Sequence, residues 1–311
     1  MNRRIEYSED VARALAGNAP VVALETTLVT HGLPHPDGVT TAMALEQIVR
    51  DGGATPATIG VLDGKIRVGL TRGELERLAT TPNVAKVNLS NLAAVVSSGQ
   101  PGSTTVAATM FAAHASAIRV FATGGIGGVH RDASETGDVS ADLTALSRIP
   151  IAVVSAGAKA ILDLPRTVEM LETLGVPVFG LHANEFPAFY RRSSGSPLDW
   201  RCDSIPELAA AVRCHLSLGL GTGVLVANPI PTDDEMDAAL YERALSTALS
   251  EADAHGVRGR AVTPFLLERM RAVTGGESVR VNVALLRNNA RVAAALAVAL
   301  AHAEDPADRL A

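Results

Sequence analysis

Aromatic side chains are scarce in this chain: 3% of its 311 residues are Phe, Trp or Tyr. That scarcity argues against stacking platforms for single-stranded nucleic acid. Cysteine is represented by Cys202 and Cys214 alone, too few for a disulfide framework at this length. The formal net charge is −6 and no basic stripe stands out, so nucleic acid is not an expected partner. A small phosphorylated ligand stays open, because it needs only a local field. Uninterrupted apolar runs fall short of the ~20 residues of a membrane span. The opening MNRRIEYSED carries no apolar signal core. No membrane partner and a cytoplasmic location are therefore expected. Lysine is the rarest cation: Lys65, Lys86 and Lys159 are the only three.

Hydrophobic residues are plentiful at 47%, enough for a large core. Val21–Leu24, Val84–Val87, 119–123, 151–155, Val178–Leu181 and Val224–Ala227 read as short strands. Most are continuous apolar runs without a period-2 pattern, which indicates burial on both faces. Thr58–Leu62 and Lys65–Gly69 read as a hairpin about Asp63-Gly64. Helical patterns separate the strands: Ser8 caps one, Thr71-Arg-Gly-Glu74 and Ser204-Ile-Pro-Glu207 read as capping boxes, and an alanine-rich helix follows Thr105. Further helices are expected over 158–174, 233–254, 264–273 and 277–301. The loop His31–Gly38, with two prolines, is expected to be non-helical. Residues 182–203 are expected to be irregular. The fold class is a three-layer α/β/α sandwich around a largely buried mixed sheet, as one domain over 1–311. In such sheets ligands bind outside the carboxyl ends of the strands. Glu25, Lys86, Thr123, Lys159 and Asn228 lie at or just past strand ends and can converge on one rim.

One stretch, Val120 to Lys159, concentrates the chemistry. Gly124, Gly125, Gly127 and Gly128 surround Ile126 and suggest a backbone nest for an anion. The spacing is not that of a dinucleotide fingerprint. Gly102-Ser-Thr-Thr105 before a helix offers a second anion seat. His130 follows the glycines as a candidate donor, and Asp138 and Asp142, four apart, suit one helix face and one hard cation. Capping by Asp138 and Ser140 is the plainer reading. Lys159 lies among Ala156, Gly157, Ala158, Ala160 and Ile161, which suggests burial. Desolvation disfavours an ammonium and so activates a lysine nucleophile; a snorkelling lysine fits the same pattern. Glu25, closing an apolar strand, fits either a proton donor or a salt bridge to Lys86. Asn282, Asn288 and Asn289 are unusual in an apolar helical stretch.

Taken together, VVALETTLVTHGLPHP, PATIGVLDGKIRVGL, STTVAATM, VFATGGIGGVHR, DVSADL, VVSAGAKAILDLPRTVEMLETLGVPVFG, FPAFY, VANPIP, TPFLL and NNA span nearly the whole chain. In them the sequence closely resembles the pseudouridine-5′-phosphate glycosidase family, also known from indigoidine-synthesis loci. The resemblance implies reversible cleavage of the C–C glycosidic bond of pseudouridine 5′-phosphate to uracil and ribose 5-phosphate, a manganese cofactor and a homotrimer. It implies that Lys159 bonds covalently to C1 of the ring-opened sugar and that Glu25 donates the proton. Asp138 would bind the metal. Lys86, Val106 and the run Ser140-Ala141-Asp142 would contact substrate, with His130 and Asn282 as further members of the site.

Two segments depart from the family pattern. The run after Lys86 is Asn88-Leu-Ser-Asn-Leu92 where the family has Ser-Arg-Arg-Asp-Leu, and Gly32–Gly38 lacks the family's asparagine. Both bear on base or phosphate specificity. A related glycosidase or Schiff-base lyase on another phosphorylated sugar is the alternative enzyme reading. A non-catalytic ligand-binding homologue is the alternative outside enzymes.

Overall fold

Short runs of Val, Ile, Leu and Ala make strands here because both faces of the sheet are covered, so each side chain finds apolar neighbours. The computed structural model describes residues 3–257 and 262–302. Its strands are β1 (Ile5–Tyr7), β2 (Val21–Leu24), β3 (Thr55–Leu62), β4 (Lys65–Val68), β5 (Ala85–Val87), β6 (Gly102–Thr104), β7 (Val120–Ala122), β8 (Ala152–Ser155), β9 (Val178–Leu181), β10 (Trp200–Cys202) and β11 (Val224–Ala227). They form one sheet in the order β1-β4-β3-β2-β7-β8-β11-β9-β10, with β6 joining β3 and carrying β5. The span from β3 to β10 is parallel throughout; only β3–β4 and β3–β6 are antiparallel. Every residue of β2, β8 and β11 is buried, as their continuous apolar sequences require.

The helices are α1 (Glu9–Ala16), α2 (Asp37–Asp51), α3 (Arg72–Thr80), α4 (Leu92–Ser98), α5 (Val106–Ala115), α6 (Ala133–Thr136), α7 (Ala141–Leu146), α8 (Leu164–Thr173), α9 (Ile205–Ser217), α10 (Ala238–Ala254), α11 (Val262–Val273) and α12 (Glu277–His302). Helix α12 packs on β2, β7 and β8 and against α2 and α9, while α5 packs on β2, β3 and β7 beside α7. Among the described residues, Glu277–Ala301 is the one stretch long and apolar enough to cross a membrane by length and composition. Half of its most apolar window is buried inside the fold, as expected for a core helix.

Several local expectations change. Residues 158–163 are not helical, because the Lys159 N–H bonds to Ile126 O across the loop and not along a helix. Pro165 therefore starts α8, where it costs no hydrogen bond, and Asp163 caps it. Residues 182–203 include the edge strand β10, whose three residues are too few to carry a period. The helix expected from Asp233 begins at Ala238 behind the cap Asp237. Residues Leu28–Gly32 form a π-helical turn, and α2 starts at Asp37, directly after the second proline. The Thr71 capping box forms in full, and Ser204 accepts from the Glu207 N–H as expected.

Candidate active site

Parallel pairing aligns the carboxyl ends of four strands. Leu24 pairs with Ala122, Ala122 with Val154, and Ser155 with Ala227, so the next residues of each strand emerge on one rim. Those residues are Glu25, Thr123, Ala156–Lys159 and Asn228. Lys86 reaches the same place from β5, on the side branch of the sheet. Lys86 is an exposed residue of β5, yet its ammonium is held below the usual lysine range. Desolvation is the larger cause and the charge of Lys159 the second, while Glu25 and Asp142 oppose both. Lys159, Glu25 and Asp142 thus all lie within electrostatic reach of Lys86. His31, an exposed residue in the π-helical turn, joins them: desolvation and then Lys86 hold its imidazole below the ordinary histidine range. Nothing in its sequence neighbourhood signalled that proximity; a π turn often marks a functional site once the structure is seen.

Among the described residues Glu25 makes no salt bridge. Its two carboxylate oxygens accept from the hydroxyls of Thr27 and Thr123, one on each side. Lys159 is half-buried while Ala156, Ala158, Ala160 and Ile161 around it are buried. Its N–H and the Ile126 carbonyl form a 3.0 Å bridge, and Ile126 N–H returns 3.0 Å to Gly157 O. The glycine loop therefore carries the backbone of Lys159 directly.

That loop is not the open anion nest expected. None of its four glycines has positive φ, and three of the loop's amides are engaged: Ile126 N–H by Gly157 O at 3.0 Å, Gly127 N–H by Asp142 Oδ2 at 2.8 Å and Val129 N–H by Thr167 Oγ1 at 3.0 Å. The glycines are required by close approach instead. A Cβ on Gly125 would fall 2.6 Å from the Phe189 ring, and one on Gly127 would fall 2.2 Å from Ser140 Oγ. Asp142 is buried and its other oxygen accepts from Ala107 N–H at 3.0 Å, in the first turn of α5. Asp142 thus joins the glycine loop to the start of α5, and Val106 stands at that junction. Ser140 caps α7 by accepting from Asp142 N–H, and the half-buried Ala141 opens that helix.

The second anion seat is better formed. Thr105 is the residue before α5, yet its hydroxyl makes no capping bond. Its Oγ1 is buried without a partner, as is Ser103 Oγ two residues earlier. A buried orphan hydroxyl is costly unless a ligand answers it. Asn282, on α12, lies against Gly124 at the other side of the pocket.

Asp138 precedes α7 and does not share a helix face with Asp142, whose oxygens are already engaged. Its carboxylate is partly exposed and faces His130 Nδ1 at 3.8 Å, while His130 N–H bonds Asp138 O at 3.1 Å. No group of three or more His, Cys, Asp or Glu side chains gathers among the described residues. The donor set suits a hydrated hard cation held through one carboxylate and waters, the binding habit of magnesium-like ions; it does not suit a closed protein cage.

Comparison with known proteins gives the family. Residues 10–299 match the family described as indigoidine synthase A-like protein. The chain belongs to that family. Its members include proteins named pseudouridine-5′-phosphate glycosidase. One, from Caldanaerobacter subterraneus subsp. tengcongensis, is 51% identical over 96% of this chain and 98% of its own. Another, from Methylobacterium nodulans, is 53% identical over 95% of this chain and 88% of its own. Among solved structures of the family, the prealnumycin C-glycosynthase AlnA, in complex with ribulose 5-phosphate, superposes with a TM-score of 0.90. It is 39% identical, covering 97% of this chain and 98% of its own. An indigoidine synthase A-like protein from Thermotoga maritima gives 0.86 at 36% identity, covering 96% and 97%.

Proposed function

We propose that this chain is a pseudouridine-5′-phosphate glycosidase, which interconverts pseudouridine 5′-phosphate and water with uracil and ribose 5-phosphate. The observation that carries the reading is the meeting of Lys159, Lys86, Glu25 and Asp142 on one rim, beside the unpartnered hydroxyl of Thr105. The names of half-identical relatives support it over the full length, and the ribulose 5-phosphate complex of AlnA supports an open-chain pentose phosphate as ligand.

In the condensing direction, the lone pair on Lys159 Nζ adds to the C1 aldehyde of ring-opened ribose 5-phosphate. Water leaves and an imine remains, which is the covalent adduct. Glu25 donates the proton that the departing oxygen needs. Uracil then forms the new bond from its C5 to C1 and loses its C5 proton. The sugar O4 displaces the lysine nitrogen as the ring closes, and the free amine returns. Cleavage is the reverse. Lys86 acts by charge: its ammonium attracts the phosphate. The Thr105 hydroxyl and the first turn of α5, at Val106, receive the phosphate. Asp142 keeps that turn and the glycine loop in register, and Ser140, Ala141, His130 and Asn282 complete the wall against the sugar and base.

A divalent cation, with manganese the choice, would sit on Asp138 through water and supply positive charge to the anionic substrate. A homotrimer accords with the half-buried character of α12. A cytoplasmic setting accords with the two unbonded cysteines, Cys202 and Cys214. The test is uracil plus ribose 5-phosphate, with and without manganese, followed by chromatography for pseudouridine 5′-phosphate. Activity on a different sugar phosphate alone would favour the related lyase, and no turnover at all would favour a ligand-binding homologue.

A further inference from the structure

Two asparagines outside the substrate wall pin the active-site loop from behind. Asn289 lies on α12 with no exposed surface, and Asn228 follows β11 and is almost as deeply buried. Asn289 Nδ2 donates to Thr123 O at 2.7 Å and toward Gly124 O at 3.3 Å. Its Oδ1 accepts from Asn228 Nδ2 at 2.8 Å. The orientation of the amide is fixed by chemistry, since two carbonyls can only accept. Asn228 is itself tied to the neighbouring strand, its N–H donating to Ser155 O at 2.9 Å. The peptide so held is the one that carries Thr123, whose hydroxyl donates to Glu25, and that opens the loop bridged to Lys159.

We infer that Asn289, braced by Asn228, is a positioning residue for the reaction: it acts through Thr123 to set Glu25 against the sugar. The inference rests on the glycosidase reading. A buried side chain that donates to two loop carbonyls and accepts from a second buried amide is dear to keep for packing alone, since an apolar residue of the same shape would fill the space. Its value lies in alignment, where a displacement on the order of 1 Å costs about 100-fold in rate.

The experiment is a double-mutant cycle in the complete enzyme, with kcat and KM for ribose 5-phosphate measured in the condensing direction. Asn289→Leu keeps the branched shape and removes both donors; Thr123→Val removes the hydroxyl that reaches Glu25. Each single variant should lose about 10- to 100-fold in kcat with KM changed by less than about threefold. If Asn289 acts through Thr123, the double variant should fall no more than about threefold below the weaker single variant. Multiplied losses, or a loss confined to KM, would overturn the inference. Should Asn289→Leu fail to fold, Asn228→Ala, which leaves the Asn289 donors in place but frees the amide to turn, enters the same cycle with a smaller loss and the same rule. An inactive wild-type protein would instead count against the glycosidase reading, so the two failures are distinguishable.

Discussion

Asp142 closes off the Gly127 amide: the buried carboxylate accepts that N–H at 2.8 Å and holds the Ala107 N–H with its other oxygen. The strongest anion at the glycine loop is thus the protein's own. Two backbone N–H bonds to a charged acceptor outweigh what either would contribute to a solvated ligand, because the carboxylate has no water to return to. The loop is a bracket between Asp142 and the start of α5. Asp142→Asn turns one acceptor into a donor facing an N–H. It should cost about 1–3 kcal/mol of stability and reduce turnover. Thermal unfolding and the condensation assay measure both; an unchanged melting point would dismiss the bracket.

Gly127→Ala tests the same contact from the other side. The added methyl would meet Ser140 Oγ at 2.2 Å and Asp142 Oδ2 at 2.9 Å, and neither can retreat without breaking a cap or a bracket. A loss of about 1–3 kcal/mol is expected by chemical denaturation, as for overpacked sites. Wild-type stability in this variant would mean the loop yields more easily than its contacts imply.

Thr105→Val separates binding from folding. The hydroxyl it removes is buried and unpartnered, so the free protein should be no less stable, while KM for ribose 5-phosphate rises about 10-fold for the lost hydrogen bond to phosphate. A destabilised variant with unchanged KM would reverse the assignment.

Lys159→Ala should abolish turnover by on the order of 10³-fold or more, as loss of a nucleophile does. Borohydride with ribose 5-phosphate should fix a mass adduct on the Lys159 peptide of the wild type and on none in the variant. An active wild-type enzyme that yields no adduct would remove the covalent step. Chelator should silence the enzyme and manganese revive it, with Asp138→Asn demanding more manganese; indifference to chelator would take Asp138 out of its role.

His31 supplies the pH test. Its imidazole is held low by desolvation and, next, by Lys86. Proton NMR should find it titrating below the ordinary value of about 6.5, and Lys86→Met should move it part of the way back up, since a neighbouring cation opposes the imidazolium. The folded state binds this proton less readily than the unfolded chain. On acidification from about 6.5 to the lower folded value the unfolded state charges first, so this residue's contribution to stability falls across that window. An unmoved His31 resonance in the variant would mean Lys86 is too far away to act.

How much of this was readable beforehand depended on whether the signal was local. Continuous apolar runs announced β2, β8 and β11, and their ends announced Glu25, Lys159 and Asn228. Cap chemistry at Ser8, Thr71 and Ser204 needed only its own few residues. What stayed hidden required distant partners. The lone Pro165 reads as a break until Lys159 is seen to spend its N–H on Ile126. The four glycines read as a nest until Phe189, Ser140 and Asp142 are seen to fill the space. The asparagines of α12 could be noticed as odd in sequence, but the carbonyl partners of Asn289, Thr123 and Gly124, lie more than a hundred residues away.

The placement of the lysines has a practical consequence. Lys65, on β4 beside the edge strand β1, pairs with Glu6 and the Arg3 carbonyl; the other two lie within electrostatic reach of one another. An electrophile selective for side-chain amines would therefore meet the reaction centre almost wherever it reacted, so that a reagent with no built-in address would behave as an affinity label.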